Sequence, residues 1–125
     1  FTLIELLVVV IIIGILAAIA IPVFLNQREN AWNSAAQQSL RSAATYQETL
    51  YTTANAYTGT LGDLEGQGFR SGDVNVTIEW VDTTSGYCMQ ATHASGGDTF
   101  ALNNLASGTG APVEGTCDDV NGTIS

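Results

Sequence analysis

The first 25 residues of the chain are almost entirely apolar and read FTLIELLVVVIIIGILAAIAIPVFL. After Glu5, no charged residue occurs before Arg28. The twenty uncharged residues from 6 to 25 would form an α-helix of about 30 Å, which matches the hydrocarbon core of a bilayer. We therefore predict a helix that lies in lipid or in a lipid-like protein core rather than in an ordinary water-facing domain.

Glu5 is the one charge inside this segment. An unpaired carboxylate in a membrane-spanning helix costs about 2.5 to 3.5 kcal/mol, so its presence calls for a partner. The chain offers no basic residue nearby. The alternative is that Glu5, only four residues from the terminus, reaches the lipid headgroups and needs no partner.

The length and composition of the chain restrict the functions that it can have. The chain has 125 residues, which leaves room for one small soluble module after the apolar segment. Twelve acids against three arginines and no lysine give a net charge of −9, which argues against binding to nucleic acid or to an anionic lipid surface. The two cysteines, Cys88 and Cys117, are typical of a disulfide in an oxidising compartment. Two reduced cysteines in a cytosolic protein are the alternative.

Beyond Leu25 the pattern becomes amphipathic. Apolar, small or amide side chains recur every three or four positions on one side: Trp32, Ala36, Leu40, Ala43, Gln47, Leu50 and Ala54. This spacing predicts that the helix continues to about residue 54 and that its stripe packs on the C-terminal module.

Gly14 and Pro22 are the two residues that could disturb this helix. A proline inside a helix removes a backbone donor and clashes with the preceding turn, at a cost of about 3 kcal/mol. We therefore expect a kink or a locally opened segment near Pro22.

The C-terminal part predicts a loop followed by a small sheet. Residues 58–72 contain five glycines, a composition typical of a loop. Apolar residues then alternate with polar ones, as in half-buried strands: Val74, Val76, Ile78 and Trp80; Tyr87, Met89 and Ala91; Phe100 and Leu102. The connections 82–86 and 94–98 are short, so we predict an antiparallel meander. Residues 106–125 show no clear periodicity.

The predicted fold class is therefore α+β. Residues 1–54 form a long N-terminal helix, of which 1–25 is the segment for a membrane or a lipid-like protein core. Residues 55–125 form a glycine-rich loop and an antiparallel sheet that packs on the amphipathic half of the helix.

The N-terminal sequence Phe1-Thr2-Leu3-Ile4-Glu5, followed by LLVVVIIIGILAAIAIP, closely resembles the mature N-terminus of type IV pilins and of the related pseudopilins. The resemblance is strong over residues 1–25, weaker over the rest of the helix and only architectural in the C-terminal half. In that family a prepilin peptidase removes a leader before the Phe and methylates the new amino group. The helix first holds the subunit in the inner membrane and then packs in the filament core.

The resemblance implies that Phe1 is the processed, methylated terminus and that Glu5 pairs with the terminal amine of an adjoining subunit. Such pairing is physically reasonable, because two charges that are each costly in an apolar core become tolerable together. It also requires a defined axial stagger between subunits.

The resemblance further implies a helix break between Gly14 and Pro22, because filaments of the family often show a melted helix there. It also implies that Cys88 and Cys117 form the disulfide that bounds the C-terminal loop of many pilins.

No pattern typical of an enzyme is present. His93, the only histidine, stands near glycines at a predicted strand end, which favours a surface or capping role. Asp118, Asp119 and Asn121 resemble half of a calcium loop but lack its later glutamate, so an acidic turn is the preferred interpretation. We therefore expect no enzymatic activity, no cofactor and no metal.

The resemblance thus implies a structural subunit of a type IV pilus. Identical copies would assemble into a helical, extracellular filament for adhesion, motility or DNA uptake, because a head-to-tail contact that does not close generates a filament. Before assembly the subunit would cross the inner membrane once and meet the prepilin peptidase and the assembly machinery. The alternatives are a pseudopilin of a type II secretion system and a membrane-anchored monomeric binding module.

Overall fold

The computed structural model describes residues 1–106, 108 and 110–125. Within these described residues, two helices and four strands follow in chain order: α1 (Leu3–Ala54), α2 (Leu61–Gly66), β1 (Val74–Asp82), β2 (Gly86–His93), β3 (Gly96–Asn103) and β4 (Val113–Glu114). The predicted α+β class is confirmed, and α1 ends at Ala54. The chain divides into two compact units, Phe1–Ala31 and Trp32–Ser125, and α1 contributes residues to both.

The first unit is one stretch of helix that is apolar up to Leu25. Every large apolar side chain from Leu3 to Leu25 is between 48% and 87% exposed, so nothing in this unit covers them. By length and composition, α1 is able to cross a membrane. The helical assignment runs through Gly14 and Pro22 without interruption. An opened segment between these residues therefore stays a prediction for the assembled state.

The second unit consists of the rest of α1, α2 and the sheet. The sheet is antiparallel with strand order β1-β2-β3-β4, as predicted for a meander. The predicted stripe of α1 is buried at Ala36, Leu40, Ala43 and Gln47. Its apolar members share one core with the inward side chains of the strands: Val74, Val76, Tyr87, Met89, Ala91, Phe100 and Leu102. The helix stripe and the sheet therefore cover each other.

A β-bulge in β1 corrects one predicted orientation. The alternation holds up to Ile78, which pairs with Met89 on the core face. Glu79 is then an extra residue in β1, and the next pair is Trp80 with Cys88. Cys88 is the neighbour of Met89 in β2, and neighbouring strand residues alternate between faces. Trp80 therefore lies on the face opposite to Ile78 and the core. The prediction that Trp80 points into the core is therefore wrong. The bulge shifts the alternation by one residue, so Val81 packs against the core instead of Trp80.

A short helix, α2, lies within the stretch that was predicted to be only a glycine-rich loop. Leu61 and Leu64 are three residues apart, so both lie on one side of this helix, and Leu64 is completely buried in the core. Phe69, just beyond α2, donates its backbone N–H to the carbonyl of Leu64 at 3.1 Å and is also completely buried. These apolar anchors outweigh the low helix propensity of the surrounding glycines.

The last residues form a tail that lies on the outer face of the sheet. Cys117 and Ile124 form an isolated antiparallel bridge, and the Asn103 amide donates to the carbonyl oxygen of Gly122 at 2.8 Å. Gly122 in turn lies directly against the Trp80 ring. Residues 117–124 thus form a short hairpin that covers Trp80, although their sequence shows no periodicity.

Candidate functional site

A reciprocal pair of hydrogen bonds caps the N-terminus of α1. The backbone N–H of Thr2 donates to Oε2 of Glu5 at 2.9 Å, and the backbone N–H of Glu5 donates to Oγ1 of Thr2 at 3.2 Å. This arrangement is a capping box, in which two of the helix's unpaired N–H groups are satisfied by side chains. The carboxylate also lies in the first turn, where the helix dipole favours a negative charge.

The capping box corrects the expectation that the chain offers Glu5 no partner. That expectation considered only basic residues, whereas the partner is a backbone amide three residues away. The signal was present, because a threonine followed three positions later by glutamate is the sequence pattern of the box. Thr2 is therefore a capping residue that sequence reasoning missed.

Glu5 keeps acceptor capacity for a further partner. A carboxylate has about four lone-pair sites, and the bond from Thr2 uses one of them. Phe1, Glu5, Leu6 and Val9 line a shallow, mostly apolar groove of about 360 Å³. All four residues are exposed, so a cation would meet the carboxylate away from water only where another apolar helix covers this groove.

The disulfide between Cys88 and Cys117 is present, and it joins β2 to the tail. The two Cα atoms are 5.9 Å apart and the residues are 29 positions apart in sequence. Cys88 is completely buried, so this end of the tail is fixed to the sheet. The alternative of two reduced cysteines is wrong for this structure.

Two further candidate residues have local structural contacts. His93 accepts a hydrogen bond from the Ser95 N–H at its Nδ1 (3.0 Å) and stacks on Trp32, so it caps the turn after β2. Asp118 accepts from the N–H groups of Val120 and Asn121 at 2.8 and 3.1 Å, which is the acidic turn that was expected. Over residues 1–106, 108 and 110–125, no group of three or more His, Cys, Asp or Glu side chains could hold a metal ion.

The ionisable side chains of the core gather around Glu48. The Tyr57 hydroxyl donates to the Glu48 carboxylate at 3.2 Å, and the Tyr57 ring packs edge-on against Tyr87 with centroids 5.0 Å apart. Burial raises the pKa of Tyr57 above its ordinary value, and the Glu48 charge raises it further. Burial likewise raises the pKa of Tyr87, again with a contribution from Glu48. Both tyrosines are therefore neutral and act as packing groups at physiological pH.

A buried amide fixes the segment that follows α1. Gln47 is completely buried, its Nε2 donates to the Thr58 carbonyl at 2.8 Å, and its Oε1 accepts from the Thr58 N–H at 3.0 Å. The sequence placed Gln47 on the packing stripe but gave no sign of this pairing. This role of Gln47 can be recognised only once α1 and the segment that follows it are known to be adjacent.

No protein-family model matches the chain. The chain is, however, similar to proteins of known role. It is 40% identical over 102 residues to the type IV wide pilus major component PilA4 of Thermus thermophilus, an alignment that covers 81% of this chain and 78% of that protein. It is also 46% identical over 57 residues to the type IV major pilin protein PilA of Myxococcus xanthus, covering 46% of this chain and 26% of that longer protein.

The Thermus similarity extends well beyond the N-terminal helix, since 102 aligned residues cannot fit within the 52 residues of α1. The fold described above has the two parts that the resemblance implied, a long N-terminal helix and a small antiparallel sheet. At this identity and coverage, the chain belongs to the type IV pilin family.

Proposed function

We propose that this chain is the major subunit of a type IV pilus and that identical copies polymerise through the apolar part of α1. The observation that carries the proposal is the uncovered apolar surface between Leu3 and Leu25. Burying one such large side chain is worth roughly 1.5 to 3 kcal/mol, so this segment gains free energy only in a membrane or among other apolar helices. Both relatives are named as a major pilus component or a major pilin, which supports burial among other apolar helices for the mature subunit.

The proposal assigns Phe1 as the processed and methylated terminus and Glu5 as its partner in an adjoining copy. The free acceptor capacity of Glu5 and the apolar groove beside it support this pairing. The capping box and the inter-subunit pair are compatible, because each uses different lone pairs of the carboxylate. Pairing would fix the axial stagger of neighbouring helices, and opening of α1 between Gly14 and Pro22 would accompany their packing in the filament.

As a pilin, the chain is a structural protein and not an enzyme. We infer that it crosses the inner membrane once before assembly and that a prepilin peptidase and the pilus assembly machinery act on it there. The filament would then be extracellular and serve adhesion, motility or DNA uptake. The names of the relatives favour a pilus over a secretion pseudopilus, and no observation favours a monomeric binding module.

Three variants separate the roles of the N-terminal groups. Glu5→Gln keeps an oxygen for the Thr2 N–H but removes the charge, Thr2→Ala removes only the threonine side of the cap, and Glu5→Ala removes both functions of Glu5. We expect Glu5→Gln to lower the yield of sheared filaments about tenfold or more, because an amine would be left unpaired in the core. The cap is worth only about 1 kcal/mol, so Thr2→Ala should have the smaller effect.

The assay measures filament yield by electron microscopy and immunoblotting of sheared surface material, alongside the amount of subunit in the membrane. Subunit should accumulate normally in all three variants. Full piliation of Glu5→Gln would disprove the pairing role. The absence of this chain from any surface filament of the wild type would disprove the proposed function itself.

A further inference from the structure

Two segments of the C-terminal module share one pattern of five residues, Asp-Val-Asn-x-Thr. It occurs at residues 73–77, as DVNVT, and again at residues 119–123, as DVNGT. Each contains Asn-x-Thr with x other than proline, the sequence in which an asparagine can accept an N-linked glycan. The two asparagines, Asn75 and Asn121, thus have nearly the same sequence around them but lie in different local structures.

Asn75 lies in the paired part of β1. It is the register partner of Thr92 in β2, and the residues on either side of it, Val74 and Val76, are each 5% exposed and belong to the core. A transferase that drew Asn75 out of the strand would also expose these valines to water. Exposing even one buried valine lowers an equilibrium constant about tenfold or more. The fold therefore protects Asn75 from modification.

Asn121 lies at the exposed tip of the hairpin formed by residues 117–124. Val120, directly before it, is 81% exposed, and Gly122, directly after it, has no side chain to pack. Gly122 stays against the Trp80 ring, whereas the Asn121 side chain faces solvent. Asn121 can therefore be reached without removing an apolar side chain from the core.

The amide of Asn121 is held in a way that leaves its nitrogen available. Its Oδ1 accepts hydrogen bonds from the N–H of Thr123 at 3.0 Å and from the Thr123 hydroxyl at 2.7 Å. A backbone N–H can only donate, so the amide atom that faces it is the oxygen. Among the described residues, no group accepts a hydrogen bond from Nδ2, the atom to which a glycan is attached. The threonine that the acceptor sequence requires therefore orients this asparagine from within the same turn.

The position of the hairpin leaves room for a bulky group. The hairpin covers Trp80 on the outer face of the sheet, and the buried stripe of α1 packs on the other face. A glycan on Asn121 would therefore be separated from the buried stripe by the whole sheet. Its attachment would disturb neither the core of the module nor the packing of the sheet on α1.

We propose that Asn121 is a site of N-glycosylation and that Asn75, which has the same pattern, is not. The donor is an oligosaccharide joined through pyrophosphate to a membrane lipid. In the transfer, Nδ2 of Asn121 forms a bond to the first carbon of the sugar and loses one proton. The bond between that carbon and the pyrophosphate oxygen breaks, and the lipid pyrophosphate leaves with the electron pair.

The inference rests on the proposed function in one respect, that the module is delivered to the outer side of the inner membrane, where it would meet such a donor. The disulfide of the module supports this location, because disulfides are typical of oxidising compartments. N-linked glycans are likewise carried on surface loops of exported proteins.

Mass spectrometry of the chain tests the modification. The chain is isolated both from sheared filaments and from the membrane fraction. We expect its mass to exceed that of the methylated, disulfide-bonded sequence by at least one sugar residue. Chymotrypsin cleaves after aromatic residues that lie between the two patterns, so fragment ions assign the glycan to one asparagine or the other. Occupancy at Asn121 should exceed occupancy at Asn75 about tenfold or more.

Four variants identify the acceptor. Asn121→Gln and Thr123→Val should remove the added mass, whereas Thr123→Ser keeps the hydroxyl and should retain it. Asn75→Gln is the matched control, with the same chemical change in the same pattern, and should leave the added mass unchanged. Peptide maps without reducing agent verify the bond between Cys88 and Cys117 in each variant, so that loss of the glycan is not confused with misfolding.

The outcomes distinguish this inference from the proposed function. An unmodified chain, equal occupancy of both asparagines, or an added mass that survives Asn121→Gln would overturn the inference. An unmodified chain in surface filaments would leave the pilin function standing. Conversely, a membrane-bound chain that carries the glycan on Asn121 but occurs in no surface filament would contradict the proposed function and support the glycosylation site.

Discussion

Replacing Gln47 by leucine should strongly destabilise the sheet module. Gln47 is completely buried and makes two hydrogen bonds to the backbone of Thr58, which is itself only 7% exposed. Leucine fills a similar volume but leaves the buried N–H and C=O of Thr58 without these partners, at about 1 to 3 kcal/mol each. Burying the added apolar surface returns about 1 kcal/mol. The free energy of unfolding should therefore fall by roughly 1 to 5 kcal/mol.

Thermal unfolding of the full chain in detergent, followed by near-ultraviolet circular dichroism, measures this loss in the aromatic core rather than in α1. For a unit of this size, each kcal/mol lowers Tm by roughly 4 to 8 °C, so we expect a decrease of at least about 4 °C. Gln38→Leu makes the same chemical change at an exposed position of the same helix and should alter stability by no more than about 0.5 kcal/mol. A loss below about 1 kcal/mol in Gln47→Leu would refute the reasoning, because Thr58 would then have found other partners.

Two further perturbations probe the tail and the tyrosines. Gly122→Ala should lower the free energy of unfolding by about 1 to 3 kcal/mol more than Gly72→Ala. Both glycines have positive φ (73° and 60°), but only at Gly122 does an added Cβ overlap a ring, that of Trp80. Equal losses of stability for the two variants in urea titrations would contradict this packing. Because folding raises the pKa of Tyr87, the unfolded chain ionises first, so stability should be unaffected below about pH 10 and fall above it. Tyr87→Phe should flatten that fall in unfolding titrations between about pH 9 and 11.5, and an unchanged slope would show that Tyr87 does not cause it.

The elements with a strong period were predictable from the sequence. The stripe containing Ala36 and Leu40 predicted the helix and its buried side, and the alternation around Met89 predicted a central strand. These patterns repeat over several turns or residue pairs, so a single exception does not hide them. The meander followed from the short connections between strands.

The errors arise where a feature depends on a partner segment. The bulge at Glu79 is defined by its pairing with β2, and Trp80 continues the apolar alternation in sequence even though its side has changed. The helix α2 depends on two leucines that are read as loop residues among glycines until the core is known. For the candidate site, the sequence identified Glu5 and its energetic cost, and it also contained the pattern that would have identified Thr2.

The hairpin in the tail has a consequence for how the chain tolerates changes in length. The N–H of Asp118 donates to the Thr123 carbonyl at 2.8 Å, and Cys117 is covalently fixed to β2, so the base of the hairpin is held at both ends. Between these points the tip is exposed, with Val120 81% accessible to solvent. Loop tips of this kind accept inserted residues at little cost, because added length there disturbs no packed side chain. A foreign peptide inserted beside Val120 would therefore be carried by every copy of the subunit, and in a polymer it would recur at the regular spacing of the subunits.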